Sequence, residues 1–216
     1  PDSMEGQAAR RQLAIGVLAL VGLAGSVAIL VRQGVLSVEA VTSAFSWVYL
    51  LVVIAFFTWL FMAGQWTKEE RKRLIVIVVL FAGAAVFWSA FEQAASTLNL
   101  FAAQNTRNSI FGWTFPSSWF QSVNALMIII FAPVFAWIWI SLGKRDPSSP
   151  AKFAFGLVSV GLGFVVMVGA AQASANGVLV SPMWLVLTYL LHTIGELSLS
   201  PVGLSSMTKL APDRVK

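Results

Sequence analysis

Long apolar runs separated by short polar gaps make up most of the chain. At a rise of 1.5 Å per residue, about 20 apolar residues cross a bilayer core about 30 Å thick, and each run is close to that length or longer. The runs predict helices over residues 13–31, 44–63, 74–101, 119–142, 150–173 and 183–210. The pattern therefore predicts an all-α integral membrane protein with six transmembrane helices.

The composition agrees with a membrane location. Hydrophobic residues make up 58% of the 216 residues and charged residues only 11%, whereas soluble domains carry roughly a quarter charged residues. The net charge of +5 comes from basic residues in the polar gaps, which indicates topology signals rather than a nucleic-acid surface. The sequence contains no cysteine, which excludes disulfides and thiolate metal sites.

Basic residues are distributed unevenly between the two sides that the six helices define. Of the 14 Lys and Arg residues, 12 lie in gaps on one side and 2 in gaps on the other. Loops rich in Lys and Arg remain in the cytoplasm. The distribution predicts that both ends of this chain are cytoplasmic.

The third predicted helix carries a carboxylate, Glu92, within an apolar span. An ionised acid in hydrocarbon is costly, so such a residue is a candidate functional site that needs a partner. The polar residues that follow within two turns are Gln93, Ser96, Thr97 and Asn99. Glu92 is either satisfied locally by Ser96, four residues on, or faces a cavity. Trp88, one turn earlier, either lines that cavity or packs against neighbouring side chains.

The sixth predicted helix carries the second intramembrane acid, Glu196. His192 lies four residues earlier and therefore on the same face. The two side chains could ligate a metal, but a metal site would need further ligands that the sequence does not offer. A carboxylate at this depth suits a proton carrier. Pro201, with Gly195 and Gly203 nearby, indicates a helix that bends near its acid, and the same residues also fit an ordinary packed kink.

Two neutral polar residues, Gln121 and Asn124, lie on one face of the fourth predicted helix. Buried amides in membrane bundles commonly join neighbouring helices. The functional alternative is a contact with a substrate, and the residues alone leave both interpretations open.

The fifth predicted helix starts with Ser149 as N-cap and Pro150 at the first helical position. It contains four glycines, Gly156, Gly161, Gly163 and Gly169. Small residues allow helix backbones to approach closely in a membrane. The glycines therefore predict a helix that packs tightly against its neighbours.

Four segments together resemble one known family: FWSAFEQAASTLNLFAAQNT, WFQSVNALMIIIFAPVFAWIW, GKRDPSSPAKFAFGL and HTIGELSLSPVGLSSMTKLAP. In this order they are similar to the C-terminal half of bacterial proton-dependent oligopeptide transporters, a branch of the major facilitator superfamily. The resemblance implies that residues 74–216 form core helices seven to ten, and that residues 1–73 form an inter-half segment with two extra transmembrane helices. It also implies that the first six and last two core helices lie outside this chain.

The resemblance assigns roles to individual residues. The family's acid on core helix seven, which pairs with a lysine of the N-terminal half, corresponds to Glu92, and a nearby cavity tryptophan corresponds to Trp88. The asparagine that contacts the peptide corresponds to Asn124. The acid that receives the amino terminus of the peptide corresponds to Glu196. One departure is Ala125, where many members have proline, which puts the local bend of that helix in doubt.

The resemblance implies a function. We expect proton-coupled symport of di- and tripeptides across the bacterial inner membrane, with the proton as coupling ion and with no catalytic residue, cofactor, metal or nucleic acid. The expected partners are the peptide, the lipid bilayer and the remainder of the transporter. Two alternatives stay open: the same fold carrying another small solute, such as nitrate or an amino acid derivative, or a non-transporting membrane anchor subunit. Two intramembrane acids and Asn124 argue against an anchor, which would not need them.

Overall fold

The computed structural model describes residues 17–18, 22, 25–27, 29–34, 37–62 and 64–212, with side chains throughout except at residues 38 and 201–208. The chain divides into two compact units, Pro1–Gln65 and Trp66–Lys216. The first predicted helix, 13–31, falls largely outside the described residues. Those of its residues that are described are helical. Gly34, just beyond this run, has a φ of 71° and donates its N–H to the Val31 carbonyl.

The long helix described in the first unit is α1 (Val38–Met62). It begins earlier than the predicted start at residue 44. The hydroxyl of Ser37 accepts a hydrogen bond from the N–H of Ala40 at 3.0 Å, which is the usual arrangement of an N-cap serine. The cap therefore sets the start of the helix ahead of the apolar run.

The second unit is mostly helical. Its elements are α2 (Lys68–Phe91), a 3-10 turn (Glu92–Ala94), α3 (Thr97–Asn105), β1 (Ser109–Ile110), β2 (Trp113–Thr114), α4 (Trp119–Leu142), a 3-10 turn (Gly143–Arg145), α5 (Ser149–Ser174) and α6 (Met183–Leu210). Among the described residues, four segments are long and apolar enough to cross a membrane: Glu39–Met62, Lys68–Asn105, Trp119–Arg145 and Ser149–Ser174. The chain is therefore a multi-pass membrane protein.

Residues 68–73, the charged segment before the third apolar run, are helical. The sequence pattern predicts a polar gap there. Thr67 and Glu70 form a capping box: the Thr67 hydroxyl accepts from the Glu70 N–H at 3.2 Å, and the Glu70 carboxylate accepts from the Thr67 N–H at 2.8 Å. This pair satisfies two N–H groups that would otherwise lack partners. Helix α2 consequently begins at Lys68 instead of residue 74, and its first two turns are polar.

The single long helix predicted over residues 74–101 is wrong, because the helix breaks at Glu92. A 3-10 turn follows α2, and Ser96 has φ −112° and ψ −89°, outside the helical region. The Gln93 carbonyl oxygen Oε1 accepts hydrogen bonds from the hydroxyls of Ser96 (3.2 Å) and Thr97 (2.7 Å). Hydroxyl and amide side chains that bond locally compete with the helix. The polar cluster thus stabilises the break.

A short hairpin, absent from the all-α prediction, connects α3 to α4. Strands β1 and β2 pair antiparallel, and the two residues between them, Phe111 and Gly112, have φ values of 50° and 81°. Positive φ at both positions is typical of the two-residue turn that suits strand twist. The preceding loop is held to the α5–α6 loop, since Arg107 donates its N–H to the Val180 carbonyl and Val180 donates to the Asn105 carbonyl.

Helix α6 is the centre of the second unit, because it packs along α5 and also contacts α4 and α2. The buried apolar residues form two clusters. The first consists of Leu98, Ala102, Phe120, Met167, Ala170, Leu185 and Tyr189. The second consists of Leu80, Phe87, Phe153, Val160 and Leu199. Both clusters include residues of α5 and α6, so these two helices hold the unit together.

Close backbone approach between α5 and α6 depends on two facing glycines. A Cβ atom on Gly156 would lie 2.9 Å from the Gly195 carbonyl oxygen, and a Cβ atom on Gly195 would lie 2.8 Å from the Gly156 carbonyl oxygen. The prediction of tight packing is confirmed at Gly156, but not at Gly161, whose Cβ position has no atom of another described element within 4 Å. Gly195, expected to loosen α6, is instead one of its tightest contacts.

Alanine substitutions on α5 should separate these two kinds of glycine. Gly156→Ala is expected to lower the free energy of unfolding by roughly 1–3 kcal/mol, because overpacking forces neighbouring groups apart. Gly161→Ala is the matched control and should be neutral or raise stability by up to about 1 kcal/mol through helix propensity. Unfolding of the full-length protein in detergent measures both effects. Equal stability of the two variants would contradict the packing.

The first turn of α5 carries a buried lysine, Lys152. The Lys152 ammonium lies 2.7 Å from a carboxylate oxygen of Asp146 and 4.3 Å from the centre of the Trp139 ring. Only 10% of the Lys152 side chain is exposed. The helix starts one residue earlier than predicted, with Ser148 as N-cap and Pro150 at the second position. Lys152 therefore holds the first turn of α5 to the preceding connection through Asp146 and to α4 through Trp139.

Candidate functional site

A cavity of about 180 Å³ lies where the turn after α2 approaches α4 and α6. Its lining residues are Phe91, Glu92, Ala94, Ala95, Gln121, Asn124, Tyr189 and His192. Two of the predicted site residues, Glu92 and Asn124, are among them. The cavity therefore collects polar groups from three separate elements, which is typical of a binding site.

Glu92 lies at the helix break, directly after α2. Its side chain is exposed in this chain. No hydrogen bond or ion pair joins its carboxylate to another side chain in the described part of the protein. The local interpretation through Ser96 is wrong, since the Ser96 hydroxyl donates to Gln93. Glu92 thus presents a carboxylate without a partner at the edge of the cavity.

Asn124 connects the cavity to Glu196. The Asn124 amide nitrogen Nδ2 donates to the Glu196 oxygen Oε2 at 3.4 Å, so α4 and α6 are joined by a polar contact. The Asn124 carbonyl oxygen Oδ1 accepts from the hydroxyl of Thr193 at 2.6 Å. Both Asn124 and Glu196 are half-buried. The interhelical role of the asparagine is therefore observed, and its contact with a ligand at the cavity stays a prediction.

His192 is buried beside the same cavity, with 1% of its surface exposed. Its ring centre lies 5.3 Å from that of Phe164 and 6.1 Å from that of Phe91. Neither ring nitrogen forms a hydrogen bond with a described residue. A Cβ atom on Gly163 would lie 2.6 Å from the imidazole, so this glycine makes room for the histidine.

Tyr189 joins α6 to the break after α2. Its hydroxyl donates to the Ala94 carbonyl at 3.4 Å, and only 1% of its surface is exposed. The break leaves backbone carbonyls without the helical partners they would otherwise have. Tyr189 supplies one such partner from a distant part of the sequence, and this fixes the turn that carries Glu92 relative to α6.

Trp88 belongs to an aromatic cluster instead of the cavity lining. Its ring meets those of Phe87 and Phe91 edge-on, at centre distances of 5.6 and 5.2 Å. Its side chain is 37% exposed. Among the described residues, Trp88 does not line the cavity, whereas its neighbour Phe91 does. A direct substrate contact by Trp88 stays a prediction.

Metal binding receives no support from the arrangement of His192 and Glu196. Over the described residues, no group of three or more His, Cys, Asp or Glu side chains lies close enough to hold a metal ion. The polar groups present are instead suited to an organic ligand. Carboxylates accept hydrogen bonds from an ammonium group, and amide nitrogens donate to carbonyl or carboxylate oxygens.

Two contributing residues, Thr193 and Tyr189, were not anticipated. Thr193 lies three residues before Glu196, so the helical period places both on one face of α6. The spacing alone could therefore have identified Thr193 as a neighbour of Glu196. The contact made by Tyr189 had no comparable signal in the sequence. Its partner is the Ala94 carbonyl, which is free to accept this bond because the helix breaks after α2.

Comparisons with known proteins agree on one family. The family model described as "PTR2: POT family" matches residues 7–216. The chain is 44% identical to the uncharacterized transporter YclF of Bacillus subtilis, covering 94% of this chain and 41% of that protein. It is also 44% identical to the peptide transporter YePEPT of Yersinia enterocolitica, covering 93% of this chain and 40% of that protein.

Solved structures give the same result. A crystal structure of peptide transporter POT in complex with sulfate matches 99% of this chain at 41% identity with a TM-score of 0.81, and the match covers 43% of that structure. The chain therefore spans about two fifths of the length of the proteins it matches. Because the family model covers nearly the whole chain, this chain belongs to the POT family of transporters.

Proposed function

We propose that the complete protein is a proton-coupled symporter of di- and tripeptides, and that this chain is part of its C-terminal half. The observation that carries the proposal is the polar cavity edged by Glu92 and Asn124, with Glu196 bonded to Asn124. The half-buried carboxylate of Glu196 suits the ammonium of a peptide. The similarity to a peptide transporter of Yersinia enterocolitica supports this substrate class.

The proposed coupling uses Glu92. An intramembrane acid without a partner is either protonated, hydrated or paired with a cation from elsewhere. The basic side chains of this chain lie in the polar gaps or near helix ends. A lysine or arginine from the remainder of the protein is the proposed partner in one state of the cycle. Protonation of Glu92 would release that bond and allow the halves to move apart.

Uptake of labelled dialanine tests the proposal. Vesicles that contain the full-length protein are expected to accumulate dialanine when the outside is more acidic than the inside, because inward proton flow drives the peptide. Vesicles without the protein are the control. Failure to accumulate dialanine, together with accumulation of nitrate or of an amino acid derivative, would contradict the peptide assignment.

The proposed location is the bacterial inner membrane, with both ends of this chain in the cytoplasm. The excess of Lys and Arg on one side supports that orientation. We further propose that residues 1–73 form the inter-half segment and residues 74–216 core helices seven to ten. The remaining helices of the same protein, the peptide and the lipid bilayer are its proposed partners.

Cysteine labelling in intact cells checks the orientation. Arg71 lies in the polar start of α2, and Phe111 is fully exposed at the hairpin tip. In a protein without other cysteines, Phe111→Cys is expected to react with a membrane-impermeant maleimide, and Arg71→Cys only after the cells are opened. The opposite pattern of labelling would contradict the proposed orientation.

A further inference from the structure

Thr193 is a buried hydroxyl at the junction of the site. None of its surface is exposed, and its oxygen Oγ1 lies 2.6 Å from Asn124 Oδ1 and 2.8 Å from the Tyr189 carbonyl oxygen. Both neighbours accept hydrogen bonds, so the single hydroxyl proton serves as the donor to them. Neither the sequence pattern nor the proposed transport mechanism uses this residue.

The position of that proton decides which end of the Asn124 amide faces Glu196. With Oδ1 held by Thr193, the nitrogen Nδ2 faces the Glu196 oxygen Oε2 at 3.4 Å. A reversed amide would direct Oδ1 at an ionised carboxylate, so two acceptors would face each other. The observed orientation instead gives each polar atom of Asn124 a suitable partner.

We propose that Thr193 is a positioning residue that holds Asn124 with its amide nitrogen toward Glu196 and the cavity. An amide nitrogen carries two N–H groups, and Glu196 uses one of them. The second is available to an acceptor in the ligand, such as a peptide carbonyl oxygen. Thr193 therefore makes Asn124 a hydrogen-bond donor to the substrate. This inference rests on the proposed function, because it assumes that Asn124 and Glu196 meet the substrate.

The titratable groups around this amide are few. Helix α6 contributes Tyr189, His192 and Glu196, and the turn after α2 contributes Glu92. Helix α4 contains no titratable residue. On α5, the ammonium of Lys152 is bonded to Asp146. Among these groups, Glu196 is the one bonded to the amide. Ionisation of Glu196 is therefore the change that most directly affects the Asn124 side chain.

A double-mutant cycle on the full-length protein tests the inference through dialanine affinity. Thr193→Val keeps the side-chain shape without the hydroxyl, and it is expected to weaken binding about fivefold, the effect of losing one hydrogen bond. Thr193→Ser keeps the hydroxyl and should bind within about twofold of the wild type. In an Asn124→Ala background, Thr193→Val should cause no further loss, because it acts through Asn124.

Two outcomes of the cycle would overturn the inference. One is unchanged affinity in Thr193→Val. The other is an equal loss with and without Asn124, which would indicate a structural role of Thr193 alone. Wild-type protein that does not bind dialanine would contradict the proposed function instead, so the two failures are distinguishable.

A measurement without substrate tests the same contact. In full-length protein labelled with ¹⁵N-asparagine, the Asn124 side-chain signals are identified by their loss in Asn124→Ala. They are expected to shift as Glu196 ionises, and Glu196→Gln should abolish that shift. The shift should shrink by at least about half in Thr193→Val and be restored in Thr193→Ser, since a freed amide no longer keeps its nitrogen on Glu196. An unchanged shift in Thr193→Val would overturn the inference.

Discussion

Glu196→Gln is expected to weaken dialanine binding about 5- to 13-fold while the protein stays folded. The glutamine oxygen can still accept the hydrogen bond from Asn124 Nδ2, which in the wild type is 3.4 Å from Glu196. The variant loses the negative charge that is proposed to contact the ammonium group of a peptide. Charge-assisted hydrogen bonds contribute about 1.5–3 kcal/mol and neutral ones about 0.5–1.5 kcal/mol, and the difference corresponds to this factor. Equilibrium binding of labelled dialanine to purified full-length protein measures it.

The matched control for this prediction is Glu69→Gln. Glu69 pairs with Lys72 at 3.0 Å on the exposed start of α2, where its side chain is 75% exposed. The same chemical change there removes only a surface ion pair, and such pairs contribute little. Dialanine affinity should therefore be unchanged. A Glu196→Gln variant that binds dialanine as tightly as this control would remove Glu196 from the substrate site.

Glu92→Gln is expected to abolish proton-driven accumulation of dialanine while exchange of dialanine across the membrane continues. Glutamine fills the same volume but cannot take up and release a proton. Glu92 has no partner among the described side chains and faces the cavity, so its replacement removes no contact within this chain. The loss should accordingly be one of coupling. Uptake under a pH gradient and counterflow without one, in vesicles that contain the full-length protein, measure the two activities.

Glu92→Asp serves as the control, because it retains an acid at the same position. It should keep at least part of the proton-driven accumulation. Accumulation at the wild-type level in Glu92→Gln would contradict a coupling role. Structures of the complete protein in several states give a second check, since a basic side chain is expected within about 4 Å of Glu92 in at least one of them.

The ends of a helix were predictable where polar or turn-forming residues directly flank an apolar run. The fourth helix matches residue for residue, from Trp119 to Leu142. Gly143, with a φ of 48°, ends it as a residue that tolerates left-handed backbone. The start of α2 does not follow from the apolar run, because the Thr67 capping box extends the helix into the charged residues before it.

Within the site, residue types and helical spacing made Glu92, Asn124 and Glu196 candidates, and their roles stay predictions. The hydrogen bond between Asn124 and Glu196 was not predictable from either residue, because it depends on how α4 packs against α6. The break after Glu92 had a local signal in the cluster of polar side chains. Its fixation by Tyr189, which is distant in sequence, depends on the tertiary structure alone.

The most direct test of the account is proton entry driven by peptide. Full-length protein is placed in vesicles that contain a pH-sensitive dye, with no pH gradient and an inside-negative potential, and dialanine is added outside. The account predicts that the interior becomes acidic when dialanine is added, and that Glu92→Gln abolishes this response. Uptake of labelled dialanine with no change of internal pH would contradict proton-coupled peptide transport.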